Sequence, residues 1–109
     1  MKQTIQVVAL LLLVSFGAGC GPMISGVKIL RAGVRLSEAE TAGAKIDALY
    51  EYTAAVEYFK KAREEHAYSE FWTARRYADK AIYYAEQARQ KAEVASKTEQ
   101  IGSESSPQQ

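Results

Sequence analysis

The chain has almost none of the residues with which small proteins form cross-links, bind metals or interrupt helices. Among its 109 residues are one cysteine, one histidine and two prolines. A single cysteine excludes a disulfide within the chain, and a single histidine leaves no usual zinc ligand set. The prolines stand at positions 22 and 107, so the sequence between them is free of the strongest helix breaker.

An excess of charge of one sign is also missing. The 14 basic and 13 acidic residues give a formal net charge of +1, which does not recommend nucleic acid as a partner. No nucleophile elbow, phosphate-binding loop or dinucleotide fingerprint appears, and the single histidine, His66, is assigned to a turn. The sequence therefore predicts a non-catalytic protein with no cofactor, no metal site and no nucleic-acid partner.

Long apolar runs are absent except near the N-terminus. Met1–Lys2 is followed by the eight-residue apolar run Val7–Val14 and by the mostly small residues of Ser15–Gly19. Eight residues are far fewer than the roughly 20 that span a bilayer as a helix, and this order is typical of an export signal. The functional chain is then expected to begin at Cys20, whose thiol is unsuited to an oxidising compartment unless it is modified. The alternatives are ordinary secretion with a free thiol and an N-terminus that is apolar by chance.

The segment Ala18–Cys20 resembles the end of the lipobox in bacterial lipoprotein precursors, with Gly17 in the place of the usual leucine. The resemblance implies a cleaved signal peptide, 1–19, and attachment to membrane lipid through acyl chains on Cys20. Aspartate after the cysteine is commonly associated with inner-membrane retention. Gly21 stands there instead, so the resemblance implies the periplasmic face of the outer membrane, with the inner membrane as the alternative.

Alanine spacing organises the rest of the chain. One seam has the 4-3-4-3-4-3 spacing that places its members on one side of a helix: Ala74, Ala78, Ala81, Ala85, Ala88, Ala92 and Ala95. An upstream seam alternates small and large residues at the same spacing: Ala48, Tyr52, Ala55, Phe59, Ala62 and His66. Small residues on one helix facing large ones on the other predict a helical hairpin.

We expect the helices of this hairpin at Leu49–Glu65 and Glu70–Ser96, with a turn at His66–Ser69 and Ser69 as the N-cap of the second helix. An earlier seam is out of phase with the hairpin: Ile29, Ala32, Leu36, Ala39, Gly43, Ile46 and Tyr50.

The phase slip predicts a break near Gly43–Leu49 and a first helix at Ile24–Lys45. The capping-box spacing of Ser37 and Glu40 leaves a later start open. The predicted fold is all-α, a small up-down bundle of three helices over 24–97. It is preceded by a tether, 20–23, and followed by a disordered polar tail, 98–109.

The stretch Ala39–Ala95 resembles small alanine-rich helical domains of Gram-negative envelope lipoproteins, which are sometimes fused to OmpA-like peptidoglycan-binding domains. The resemblance lies in Tyr50–Ala55, Tyr58–Glu65 and Ala74–Ala81, whereas Ala48-Leu49 replaces the Ala-Pro pair common in that family. Tetratricopeptide hairpins share much of this spacing, but the chain has room for only one hairpin and a solenoid needs at least three repeats.

Two candidate surfaces follow from the side chains outside the seams. The first is a partner-binding patch whose rings and guanidinium groups are typical of interface hot spots: Phe71, Trp72, Arg75, Arg76 and Tyr83. The second is a basic stripe, Lys28, Arg31 and Arg35, which would rest on anionic lipid while Ile24, Val27 and Leu30 or Val34 enter the membrane interface. The alternatives are rings that cover the edges of the bundle and a solvated helix face.

Together these expectations describe a structural or adaptor module of the cell envelope, bound to lipid through Cys20 and to an envelope protein. A pilotin-like chaperone with an aromatic groove and a passive spacer associated with peptidoglycan are the alternatives. Self-association stays open.

Overall fold

The structure, a computed structural model, describes residues 1–17 and 20–105. The described chain contains helices and no strand, which confirms the all-α prediction. The prediction of three helices in a small bundle is wrong, because these residues form five helices in an elongated molecule with extents of 93 × 23 × 13 Å. The helices are α1 (Lys2–Gly17), α2 (Cys20–Thr41), α3 (Ala44–Asp47), α4 (Leu49–Ala67) and α5 (Phe71–Ser105).

Helix α2 begins earlier than the sequence suggested. It starts at Cys20, so the expected tether, 20–23, is its first turn, and the alternative start at Ser37 lies well inside the helix. Pro22 is tolerated in the first turn because backbone N–H groups there have no partner within the helix. The lipidation candidate therefore stands directly on a helix.

The expected break after the first helix is present, but the predicted end of that helix at Lys45 is wrong, because Lys45 belongs to α3. Helix α2 ends at Thr41, Gly43 adopts a left-handed conformation with φ 91°, and α3 adds a single turn before Ala48. Glycine suits this position because the left-handed region penalises a Cβ atom. Ala48 is almost fully buried in a cluster with Ala39 and Ala88, so the reversal is packed against the far part of α5.

The turn between α4 and α5 differs from the predicted one. The N–H of Ser69 donates to the carbonyl of His66, and the N–H of Glu70 donates to that of Glu65. With Ser69 at φ 64°, these bonds form a Schellman motif that ends α4. The prediction of Ser69 as the N-cap of α5 is wrong, since α5 begins at Phe71 and Glu70 is the residue before it.

The alanine seams form the core. Helix α5 packs against both α4 and α2, and its seam is fully buried from Ala74 to Ala92, while Ala95 is half-buried. On α4 the small members Ala55 and Ala62 are fully buried, and the large members of the seam are half-buried: Tyr52, Phe59 and His66. Tyr52 packs against a buried cluster that contains Ala88 and Ala92. Both Tyr52 and Phe59 pack against a second buried cluster, which contains Ala85. The predicted pairing of small with large side chains is therefore observed.

The expected polar tail is helical as far as the structure describes it. Helix α5 continues without interruption to Ser105, and the side chains of 98–105 are exposed. Serine and threonine hydroxyl groups in this segment donate to carbonyls three or four residues earlier, as from Thr98 to Val94 and from Ser103 to Gln100. Residues 106–109 lie outside the described chain.

Candidate interaction surfaces

Cys20 is exposed at the first position of α2. The helix before it, α1, carries the apolar run, and all side chains at positions 1–14 are exposed. Two members of the lipobox resemblance, Ala18 and Gly19, lie outside the described residues. Among those described, no helix has both the length and the apolar character needed to span a bilayer.

Two of the three cations of the basic stripe form ion pairs with acidic residues of the chain. Lys28 forms an ion pair with Asp79 on α5, and Arg35 bonds Glu38 at 2.9 Å and lies 3.5 Å from Glu86. The hydrogen bond from Arg35 to Glu38 raises the pKa of the guanidinium above its usual value. Lys28 and Arg35 therefore both connect α2 to α5, and Arg35 also bonds to a residue of α2 itself.

Arg31 is the member of the basic stripe whose side chain is exposed to solvent. It forms no ion pair within the part of the chain that the structure describes. An apolar depression beside it is lined by Met23, Ile24, Val27, Lys28 and Arg31. Arg31 is thus the cation of the stripe that remains placed to meet an anionic surface.

The structure separates the five residues of the aromatic patch. Trp72 is 65% exposed, Tyr83 is 58% exposed and Arg76 is exposed between them in sequence. At 3.6 residues per turn these three fall within an arc of about 40°, on the side of α5 opposite its alanine seam. We call Trp72, Arg76 and Tyr83 the α5 outer face.

The other two members of the patch have internal contacts. Phe71 is half-buried, with its ring 5.3 Å from the ring of His66, and a Cβ atom on Gly21 would lie 3.7 Å from it. Arg75 lies over the Trp72 ring, with its guanidinium carbon 4.9 Å from the ring centroid. Phe71 therefore packs against the start of α2, and Arg75 limits access to one side of the indole.

A tyrosine stack between α4 and α5 was not predicted. The Tyr58 ring stacks on Tyr77 at 6.0 Å and on Tyr84 at 5.6 Å, and Tyr50 meets Tyr84 edge-on at 6.5 Å. Neighbouring phenol groups, Tyr50 first among them, and burial raise the pKa of Tyr84. The sequence contained one signal for this stack, the seven-residue spacing of Tyr77 and Tyr84, which places both rings on one side of α5.

His66 has a role that the sequence did not reveal. It is a half-buried residue of α4 rather than part of the turn, and its Nδ1 atom lies 2.9 Å from Oγ of the fully buried Ser25. The hydroxyl oxygen also lies within hydrogen-bond distance of the carbonyls of Gly21 and Pro22. The pair joins the end of α4 to the first turns of α2.

A wide, open groove lies between α2 and α5. Its lining is charged and polar apart from Ala42 and contains no aromatic ring: Arg35, Ser37, Glu38, Thr41, Ala42, Arg89, Glu93 and Ser96. Within residues 1–17 and 20–105, no three cysteine, histidine or acidic side chains are grouped so as to hold a metal ion. No protein-family model, curated protein or solved structure matches the chain.

Proposed function

We propose that the chain is the precursor of a small envelope lipoprotein that acts as a structural or adaptor module. Acyl chains on Cys20 hold it at the periplasmic face of the outer membrane, and its helices present a surface to an envelope protein. The observation that carries the adaptor role is the α5 outer face. Exposed tryptophan, tyrosine and arginine on one side of a helix have the composition of interface hot spots.

The position of Cys20 supports the anchor. Its thiol is exposed, and Cys20 lies between the apolar, exposed helix α1 and the packed helices that follow. A modifying enzyme can therefore reach the thiol. Substitution Cys20→Ser should move the protein from the membrane fraction to the soluble periplasm. Retention of this variant in the membrane fraction would overturn the anchor.

The adaptor role is tested by photocrosslinking in cells from two positions of the α5 outer face. A photoreactive residue replacing Trp72 or Tyr83 should capture one recurrent envelope protein, identified by mass spectrometry. The same probe at Lys60, an exposed position on α4, is the control and should not capture it. Crosslinks to lipid, glycan or the chain itself alone would favour the passive spacer instead.

A pilotin-like chaperone is less well supported. That function requires an aromatic groove able to receive a helix or strand. The groove between α2 and α5 is open, but charged and polar side chains line it. The exposed rings of Trp72 and Tyr83 lie instead on a convex surface of α5, which suits a flat or grooved partner.

A further inference from the structure

Helix α2 has a second apolar stripe that the rest of the described chain leaves uncovered. Its four members are all more than half exposed and follow the 4-3-4 spacing of a packed seam: Met23, Val27, Leu30 and Val34. They extend over about 17 Å of the helix. They lie opposite the buried face of α2, which contains Ser25, Ala32, Leu36 and Ala39. An apolar stripe of this length on a small protein is typical of a contact surface.

Cys20 shares this stripe. At 3.6 residues per turn, its side chain and the four apolar ones fall within an arc of about 80°. Because α2 begins at Cys20, no flexible tether separates the thiol from the stripe. Acyl chains attached there leave the helix on the same side as the apolar side chains.

The charges near the stripe favour lipid as its occupant over a second copy of the chain. No acidic residue occurs between Cys20 and Glu38, and Arg31 stands exposed at the edge of the stripe. A second copy that presents the same stripe would bring another exposed Arg31 toward the first, whereas anionic headgroups would complement it.

We propose that α2 lies along the membrane surface, with this stripe in the boundary between headgroups and acyl chains. The inference rests on the proposed acylation of Cys20 and adds an orientation to it. Amphipathic helices bind membranes in this way, with their apolar side chains inserted and basic residues at the headgroups. The α5 outer face points away from the alanine core on another helix, so this orientation leaves it accessible to a protein partner.

Fluorescence quenching by brominated lipid tests the orientation on the acylated protein. Two variants carry Trp72→Phe together with a single new tryptophan, either Leu30→Trp in the stripe or Gln90→Trp on the outer side of α5. Both positions are exposed, so neither change disturbs the core. The vesicles contain phosphatidylethanolamine and phosphatidylglycerol with brominated or ordinary acyl chains. The Leu30→Trp probe should lose most of its fluorescence in brominated vesicles, and the Gln90→Trp probe should keep its own.

Flotation of the same samples shows whether the orientation or the lipid anchor is wrong. A protein that floats with the vesicles while the Leu30→Trp probe stays unquenched would overturn the orientation and leave the anchor intact. Iodide, a quencher dissolved in the aqueous phase, is then added to the same samples. If neither brominated lipid nor iodide quenches the Leu30→Trp probe, a second copy is the occupant of the stripe, and the proposed orientation is overturned. Failure to float would overturn the anchor, and the orientation with it.

Discussion

The hydroxyl oxygen of Ser25 lies 2.9 Å from Nδ1 of His66, a residue 41 positions later in the chain. Ser25 is the one polar side chain that is fully buried among the described residues. The bond joins the start of α2 to the end of α4, next to Phe71, whose ring meets the imidazole. Together with the ion pair between Lys28 and Asp79, this contact holds the first turns of α2 against α4 and α5.

A double-mutant cycle should measure that contact. Ser25→Ala, His66→Phe and the double variant are compared by urea unfolding of the mature chain carrying Cys20→Ser. We expect a coupling free energy of about 1 kcal/mol, as for a partly buried hydrogen bond. Additive effects of the two single changes would show that the contact does not contribute to stability.

The close packing of the alanine seam should make it intolerant of larger side chains. Ala85 is fully buried against Leu36 and Ala55, so Ala85→Leu should lower the free energy of unfolding by about 1 to 3 kcal/mol. Ala95→Leu is the matched control, because Ala95 is half-buried at the end of the same seam and should tolerate the change better. Equal effects at the two positions would contradict the observed seam.

The two left-handed residues should respond to substitution in opposite directions. Ser69→Gly removes a Cβ atom from a residue at φ 64° and should stabilise the protein by about 0.5 to 1 kcal/mol. Gly43→Ala adds one at φ 91° and should destabilise it by about 1 kcal/mol or more. Thermal unfolding measures both. If Ser69→Gly destabilised the protein, Ser69 would instead act as the helix cap expected from the sequence.

Acid should weaken the contact between α4 and α5 at Glu51. A hydrogen bond from its own backbone N–H and the ammonium group of Lys91, 3.0 Å away, lower the pKa of this carboxyl. A carboxyl with a lowered folded pKa stabilises the fold fully above its unfolded value, and this stabilisation is lost as pH falls through the folded pKa. Stability measured from pH 6 downward should therefore fall less steeply in Glu51→Gln and in Lys91→Gln. An unchanged slope would exclude the pair as a source of acid sensitivity.

Periodicity made the seams and the break between α2 and α4 predictable. Alanines at heptad spacing have one structural explanation, and the phase slip near Gly43 marks where one helix face gives way to another. The helical conformation of 20–23 and of 98–105 was not predictable in the same way. Polar residues such as those of 98–105 suit a solvated helix as well as a disordered tail, and local backbone hydrogen bonding decides between them.

Contacts between distant segments were the least accessible from the sequence. Pairing Ser25 with His66, or Tyr58 with Tyr84, depends on the relative register of helices that no periodic pattern specifies. The sequence grouped Phe71 with Trp72 because they are adjacent, but neighbours on a helix point about 100° apart. One ring consequently packs toward α2 while the other remains exposed.

The alanine core affects how stability responds to temperature. Twelve of the thirteen buried apolar residues of the described chain are alanine, so folding immobilises few side-chain rotamers. It also removes little apolar area from water for each core position, and that area sets the heat capacity of unfolding. The stability curve of this protein should consequently be flatter than that of a leucine-rich domain of equal length, with weaker cold destabilisation.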